Sequence, residues 1–409
     1  MQKIIEFLRR LGPGIVFAST CIGVSHLVQS TRAGALFGFQ LVLFVLLANL
    51  FKYPFFEYGT RYAAATGKSI LVGYYKEGKW ILILFLLVLI GTMFTVTAGV
   101  TIVAAGMFGN LLSVDIGIPI LAGGVMLMCF AVLFGGEYAL LEKIIKVIAG
   151  LLVLSTMVAF FLAIFNVEAP QVSFLNLDLL YENQSFIFII ALMGWMPSAL
   201  DLTAMNSQWT VEKMKIAKEL TFKDHIRDFN FGYLVTAVLA FCFLTMGAML
   251  LFDRGIDLSD NSVAFAGQLT GMYTSTIGDW VFIIIALSAF STMFSTTLTV
   301  LDGYPRIVEE TINLLAGREL KLYKIVMTAM IVLGWLVIVY FAQNLSALID
   351  LATVLSFVVA PIIAIINFRV VSGKQVESQY RPKPWLKVIS YAGIVFLVAF
   401  TIVYLVTRY

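Results

Sequence analysis

The sequence predicts an all-α polytopic membrane protein of eleven transmembrane helices, and three observations carry that expectation. The 409 residues are 61% hydrophobic and 12% charged, where a soluble globular chain is typically about 25% charged. Apolar runs of roughly 20 residues, the length that crosses about 30 Å of hydrocarbon, recur along the whole chain. The basic residues fall almost entirely in alternate connections between those runs. A water-soluble fold of this size has nowhere to hide so much apolar surface, so the bilayer is the expected solvent.

The runs fall at 13–31, 35–57, 81–106, 117–135, 145–166, 186–207, 231–252, 278–301, 325–343, 346–370 and 386–406. The tightest junction separates the ninth and tenth at Ala342-Gln343-Asn344. With a cytoplasmic N-terminus, the inside segments hold 24 of the 27 Lys and Arg residues. In order these are Lys3, Arg9 and Arg10; Lys52, Arg61, Lys68, Lys76 and Lys79; Lys143 and Lys146; Lys213, Lys215, Lys218, Lys223 and Arg227; Arg306, Arg318, Lys321 and Lys324; and Arg369, Lys374, Arg381, Lys383 and Lys387. Only Arg32, Arg254 and Arg408 fall outside. Cytoplasmic Lys and Arg set membrane orientation, and one missed or invented span would scramble the pattern. The expected topology is therefore N-terminus inside and C-terminus outside, within one domain over 1–409. The apolar stretch after Arg10 lacks a small-residue cleavage site, so no signal peptide is expected. Short loops without targeting segments point to a prokaryotic inner membrane.

Two runs carry disruptive residues at mid-depth. The first reads Ser19-Thr20-Cys21-Ile22-Gly23-Val24-Ser25-His26-Leu27-Val28-Gln29-Ser30, and the sixth Met193-Gly194-Trp195-Met196-Pro197-Ser198-Ala199-Leu200-Asp201. Unpaired backbone in hydrocarbon costs several kcal/mol, so such breaks persist only where they are buried or line a polar cavity. A single kink is usually packing. Runs one and six, however, are corresponding members if the first ten helices form two five-helix halves, and matched interruptions point to a substrate site.

Other chemistries find no support. The chain has no phosphate-binding Gly-rich loop, no His-Glu-x-x-His and no Cys/His cluster at zinc spacing, so it is not expected to be an enzyme. The longest inside loops are too short for an ATPase domain. Cys21, Cys129 and Cys242 sit in apolar stretches and read as small core residues. The basic residues form the fringe of a membrane protein, with lipid as partner and nucleic acid excluded.

Gly12-Pro13-Gly14 opens the first run, Arg32-Ala33-Gly34-Ala35-Leu36-Phe37-Gly38 begins the second, and Ala65-Thr66-Gly67-Lys68 follows it. Gly136-Glu137-Tyr138 with Glu142-Lys143 leads into the fifth, and Met196-Pro197 marks the break in the sixth. In this order and spacing the chain resembles the Nramp (natural resistance-associated macrophage protein) family of proton-coupled divalent-metal transporters. The resemblance implies a leucine-transporter-type fold of two inverted five-helix repeats, approximately 13–166 and 186–370, with 386–406 as an added helix. It also implies secondary active transport by alternating access, one helix bundle rocking against the other. The departures lie at the site. The family's Asp-Pro-Gly-Asn in helix 1, whose Asp and Asn bind the metal, falls on Gly23-Val24-Ser25-His26. The helix 6 methionine, a soft ligand in the family, is Met196, and the histidine after Met-Pro is Ser198. Helix 3, acidic in the family, offers Thr92, Thr95, Thr97 and Thr101. The polar position of helix 10 falls near Thr353.

Hard cations want carboxylate or carbonyl oxygens, so losing the acid at position 23 calls for a substitute. Asp201 is the leading one, about one turn beyond Pro197. Its burial would cost at least about 2.5 kcal/mol, which suits a ligand or proton carrier; the plainer reading is an acid satisfied by Thr203 or Asn206. His26 could ligate a transition metal, shuttle a proton or hydrogen-bond an organic substrate, or merely plug the broken backbone. His225, in the basic loop, reads as solvated. Ser25, Ser30 and Ser198 could touch substrate or satisfy freed carbonyls. The hydroxyls of helix 8 (Ser288, Ser291, Ser295, Thr296, Thr297 and Thr299) read as close packing, Asp302 ends that helix on the inside, and Asp350 with Thr353 could line an outer vestibule. Two readings remain. One is a transporter of divalent metal cations with His26, Met196 and Asp201 as ligands and Gly23, Ser25, Ser198 and Thr353 around the substrate. The other is an ion-coupled transporter of a small organic solute on the same scaffold. The matched polar breaks argue against a receptor or scaffold that has lost transport. No cofactor is expected, and the coupling ion, proton or sodium, is not specified.

Overall fold

A computed structural model describes residues 12–114, 116–134, 138–255 and 258–408, without the side chains of 138–149, 151, 152 and 408. The described residues form helices and connections with no β-strand among them. Lys3, Arg9 and Arg10, Gly136 and Glu137, and the side chains of Glu142, Lys143 and Lys146 lie outside what is described.

In chain order the helices are α1 Pro13–Cys21, α2 Thr31–Phe37, α3 Val42–Thr66, α4 Ile70–Glu77, α5 Lys79–Leu112, α6 Ile118–Phe134, α7 Tyr138–Asn166, α8 Asn183–Gly194, α9 Leu202–Ile216, α10 Phe222–Leu250, α11 Ser262–Ile277, α12 Phe282–Ala316, α13 Tyr323–Tyr340, α14 Leu345–Ser372 and α15 Pro384–Arg408. Among the described residues, six helices are long and apolar enough to cross a membrane by length and composition. The first and sixth apolar runs miss that test because each is divided between two shorter helices. The second is not among them either; its helix α3 holds Lys52, Glu57 and Arg61. Large aliphatics face outward, Ile120 at 71% and Val406 at 73% exposure, as lipid-facing positions require.

Three placements correct the sequence reading. Lys52 and Arg61, assigned to an inside loop, are buried in α3. Arg61 is held there by Glu57 at 2.5 Å and the Tyr380 carbonyl at 2.6 Å, which is how a charge survives in that helix. His225, expected to be solvated, is buried in the first turn of α10. The three cysteines are free and buried.

Helix α10 packs on α1, α2 and α3, α12 on α5, and α14 on α8. Close approach needs glycine at two crossings. A Cβ on Gly232 would lie 2.0 Å from the Gly14 carbonyl oxygen, and one on Gly194 would lie 2.0 Å from the Thr353 carbonyl oxygen. The first crossing docks the start of α1 on α10, and the second seats the end of α8 on α14. Together they hold both interrupted runs against continuous helices.

Candidate functional site

The first interrupted run stops as an α-helix at Cys21 and resumes as a π-helical turn, Ser25–Ser30, that leads into α2. The Ser25 hydroxyl lies 2.6 Å from the Cys21 carbonyl that the break frees and 3.0 Å from the Pro197 carbonyl of the other break. With one proton to donate, the hydroxyl serves one acceptor at a time and stands between the two interruptions. Ser25 Oγ also lies 2.7 Å from Nδ1 of His26, whose Nε2 is 2.9 Å from the Thr236 carbonyl on α10. A carbonyl only accepts, so Nε2 carries the proton and donates.

The sixth run stops at Gly194 and resumes at Leu202, with a cis Met196–Pro197 peptide between. The last carbonyls of a helix have no partner within it. Here Lys52 supplies one, its wholly buried ammonium donating to the carbonyls of Met193 (3.1 Å), Gly194 (2.9 Å) and Ser198 (2.7 Å). Trp195 donates from its indole nitrogen to Ser356 at 2.8 Å. Asp201 stands at the start of α9 and accepts from the Tyr304 hydroxyl at 2.9 Å, 4% exposed. Neither Thr203 nor Asn206 satisfies it: they bond the Phe55 carbonyl and the Thr60 hydroxyl of α3.

Between the breaks lies a cavity of about 30 Å³, lined by Thr20, Cys21, Ser25, Trp195, Ser198, Asp201, Thr296 and Tyr304 among others. That is room for about two to three water molecules. Of the expected site residues, Ser25, Ser198 and Asp201 line it, and among the described residues Asp201 is its only carboxylate. Gly23 adjoins Thr296, which would stand 2.9 Å from any Cβ placed there. The position that carries an acid in the resemblance is therefore filled from α12. His26 turns toward α10, Met196 is wholly buried, and neither lines the cavity. Thr353 lies at the α8–α14 crossing, its hydroxyl donating back to the Ile349 carbonyl at 2.8 Å. Among the described residues, no three His, Cys, Asp or Glu side chains converge as a metal cluster would require. The oxygens on offer are one carboxylate, several hydroxyls and the carbonyls of the breaks, a donor set that suits a hard cation.

Each end of the first run is pinned. Arg32 at the start of α2 bonds Asp350 of α14 at 2.7 Å and Gln29 at 2.9 Å, and its guanidinium lies over the Phe188 ring. At the other end, Asp228 of α10 accepts from the backbone nitrogens of Gly12 (3.1 Å) and Gly14 (2.9 Å), an anion capping a helix N-terminus. The helix 12 hydroxyls pack on α1, with Ser19 3.3 Å from Ser295 and Thr20 3.2 Å from Thr299. Asp302 is spent on Arg306 at 2.8 Å and Tyr323 at 2.7 Å.

Lys52 and Tyr304 were not singled out in the sequence. Lys52 had a signal, since it falls inside the second apolar run, where an ionisable group marks function by default. Tyr304 had none, because nothing local connects it to a residue 103 positions away.

A family model described as natural resistance-associated macrophage protein-like matches residues 14–407. An uncharacterized protein of Pasteurella multocida is 35% identical over 97% of this chain and 91% of its own length. The divalent metal cation transporter MntH of Bacillus subtilis is 22% identical over 98% of this chain and 92% of its own. A manganese transporter of Eremococcus coleocola shares the fold with a TM-score of 0.70 at 14% identity, covering 98% of this chain and 86% of that one.

Proposed function

The chain belongs to the natural resistance-associated macrophage protein family, and from that premise we propose that it carries divalent metal cations through a site at the two helix breaks. The family membership makes it a membrane-embedded metal-ion transporter rather than an enzyme. The observation that carries the finer reading is Asp201, a buried carboxylate in the wall of a cavity of about 30 Å³. A dehydrated ion fits such a space, whereas pockets for organic ligands run to roughly 300–1,000 Å³. In this reading Asp201 supplies the charge, and the Ser25 and Ser198 hydroxyls with the freed carbonyls supply neutral oxygens. His26 holds the first break to α10 instead of ligating.

Alternating access follows from the pins at the two ends of the first run. Release of Arg32 from Asp350 would open one face, and release of Gly12 and Gly14 from Asp228 the other. One helix bundle rocking against the other about the breaks supplies the motion. The asymmetry of the basic residues supports a cytoplasmic N-terminus, and the short connections support an inner membrane.

Uptake of Mn²⁺ into proteoliposomes tests the reading, with Mg²⁺, Ca²⁺ and Zn²⁺ run alongside. Saturable uptake by the wild type, reduced at least tenfold in a folded Asp201→Asn variant, is expected. No uptake of any of the four by folded wild type would overturn it.

A further inference from the structure

Three carbonyl oxygens and no carboxylate surround the buried Lys52 nitrogen beside the cavity, an arrangement that the three donors of an ammonium fill. Two of those carbonyls, of Met193 and Gly194, are the last of α8, at the end of a helix where partial negative charge collects. The third belongs to Ser198, which lines the cavity together with Asp201. Carbonyl oxygens beside a carboxylate are the ligands a hard divalent cation takes. We propose that Lys52 sets the affinity of the site, a tethered cation that occupies the carbonyl oxygens a transported metal ion would otherwise use. The proposal rests on the metal reading of the site and deepens it.

A lysine that only capped a helix end could be replaced by any uncharged donor, and burying a charge for that purpose alone is costly. What the charge adds is competition. With Asp201 as the one carboxylate on the cavity wall and an ammonium behind the same wall, the site is close to neutral when empty. An arriving divalent ion meets one attraction and one repulsion, and it gains the carbonyls only if Lys52 withdraws. Such a site holds a metal ion weakly and releases it readily, as conduction requires.

The test is calorimetric titration of Mn²⁺ into the purified full chain, comparing wild type with Lys52→Met, Lys52→Gln and Lys52→Arg. Loss of the charge is expected to tighten the Kd at least tenfold in both neutral variants. Lys52→Gln keeps two donors for the carbonyls and so separates charge from capping; Lys52→Arg keeps the charge and is expected to gain nothing. If Lys52→Met does not fold, Lys52→Gln carries the comparison. Measurable wild-type binding that is unchanged or weaker in folded Lys52→Gln would overturn the proposal alone. Failure of both neutral variants to fold beside a folded Lys52→Arg would make the lysine a structural cap and would overturn it too. Absence of binding in wild type and all folded variants would overturn the metal reading and this proposal with it.

Discussion

Replacing Gly194 with alanine strikes the point where the end of α8 crosses α14. The added Cβ would stand 2.0 Å from the Thr353 carbonyl oxygen and 2.8 Å from its carbonyl carbon, whereas real Cβ contacts essentially never fall below 3.0 Å. The obstacle is backbone, so no side chain can rotate away and the two helices must part by about 1 Å. Overpacking of this kind costs about 1–3 kcal/mol; a value near 2 kcal/mol corresponds to roughly a 30-fold change in an opening equilibrium. The displacement also pulls the Gly194 carbonyl from Lys52, 2.9 Å away. Cys21 offers the readout, since it lines the cavity and is 1% exposed, so a thiol reagent reaches it only through opening. With Cys129 and Cys242 replaced by alanine, Gly194→Ala is expected to speed labelling of Cys21 roughly 30-fold. Gly91→Ala, where nothing lies within 4 Å of the new Cβ, is expected to leave it unchanged. Equal labelling in the two variants would refute the reasoning, because the crossing would then tolerate a methyl group it has no room for.

Three further outcomes are expected. Restoring an acid by Gly23→Asp should lower thermal stability by about 1–3 kcal/mol, because Thr296 stands 2.9 Å from the new Cβ, and Thr296→Ala should recover most of that loss in a melting experiment. A double-mutant cycle on Arg32→Gln and Asp350→Asn should give a coupling of about 1–2 kcal/mol, in the middle of the usual range because the Asp350 side chain is 27% exposed. Asp228→Ala removes the cap from Gly12 and Gly14 and should cost about 0.5–2 kcal/mol, read as Cys21 labelling faster than in Gly91→Ala.

The all-helical membrane fold was plain in the composition, because nothing but the bilayer accommodates so much apolar surface. The two interruptions were equally plain, since Gly23 and the Met196–Pro197 pair cannot sit unnoticed in apolar runs. Asp201 could be found for a related reason: a lone acid in such a run needs a use. Residue type and local position do not reveal direction, and His26 shows the difference. Its place at a break made it a ligand candidate, yet the Thr236 carbonyl, 210 positions along the chain, turns the ring away from the cavity. Lys52 was counted with the loop charges because a basic residue near a run's end ordinarily reaches for water. Only the packing of α3 against the end of α8 reveals that it reaches inward for carbonyls.

The π-helical turn at Ser25–Ser30 holds one residue more than an α-helical turn would, and the Ser30 hydroxyl, 3.1 Å from the Ser25 carbonyl five residues back, matches that wider winding. The run therefore stores slack. Rewinding the turn as α would expel one residue, rotating everything beyond it by about 100° and advancing it about 1.5 Å. Arg32 lies beyond the turn and rides on the rotating side, while His26 stays fastened to α10. A change of phase within a single turn would thus uncouple Arg32 from Asp350 with no hinge and no bend, while the cavity wall around Cys21 and Ser25 kept its shape.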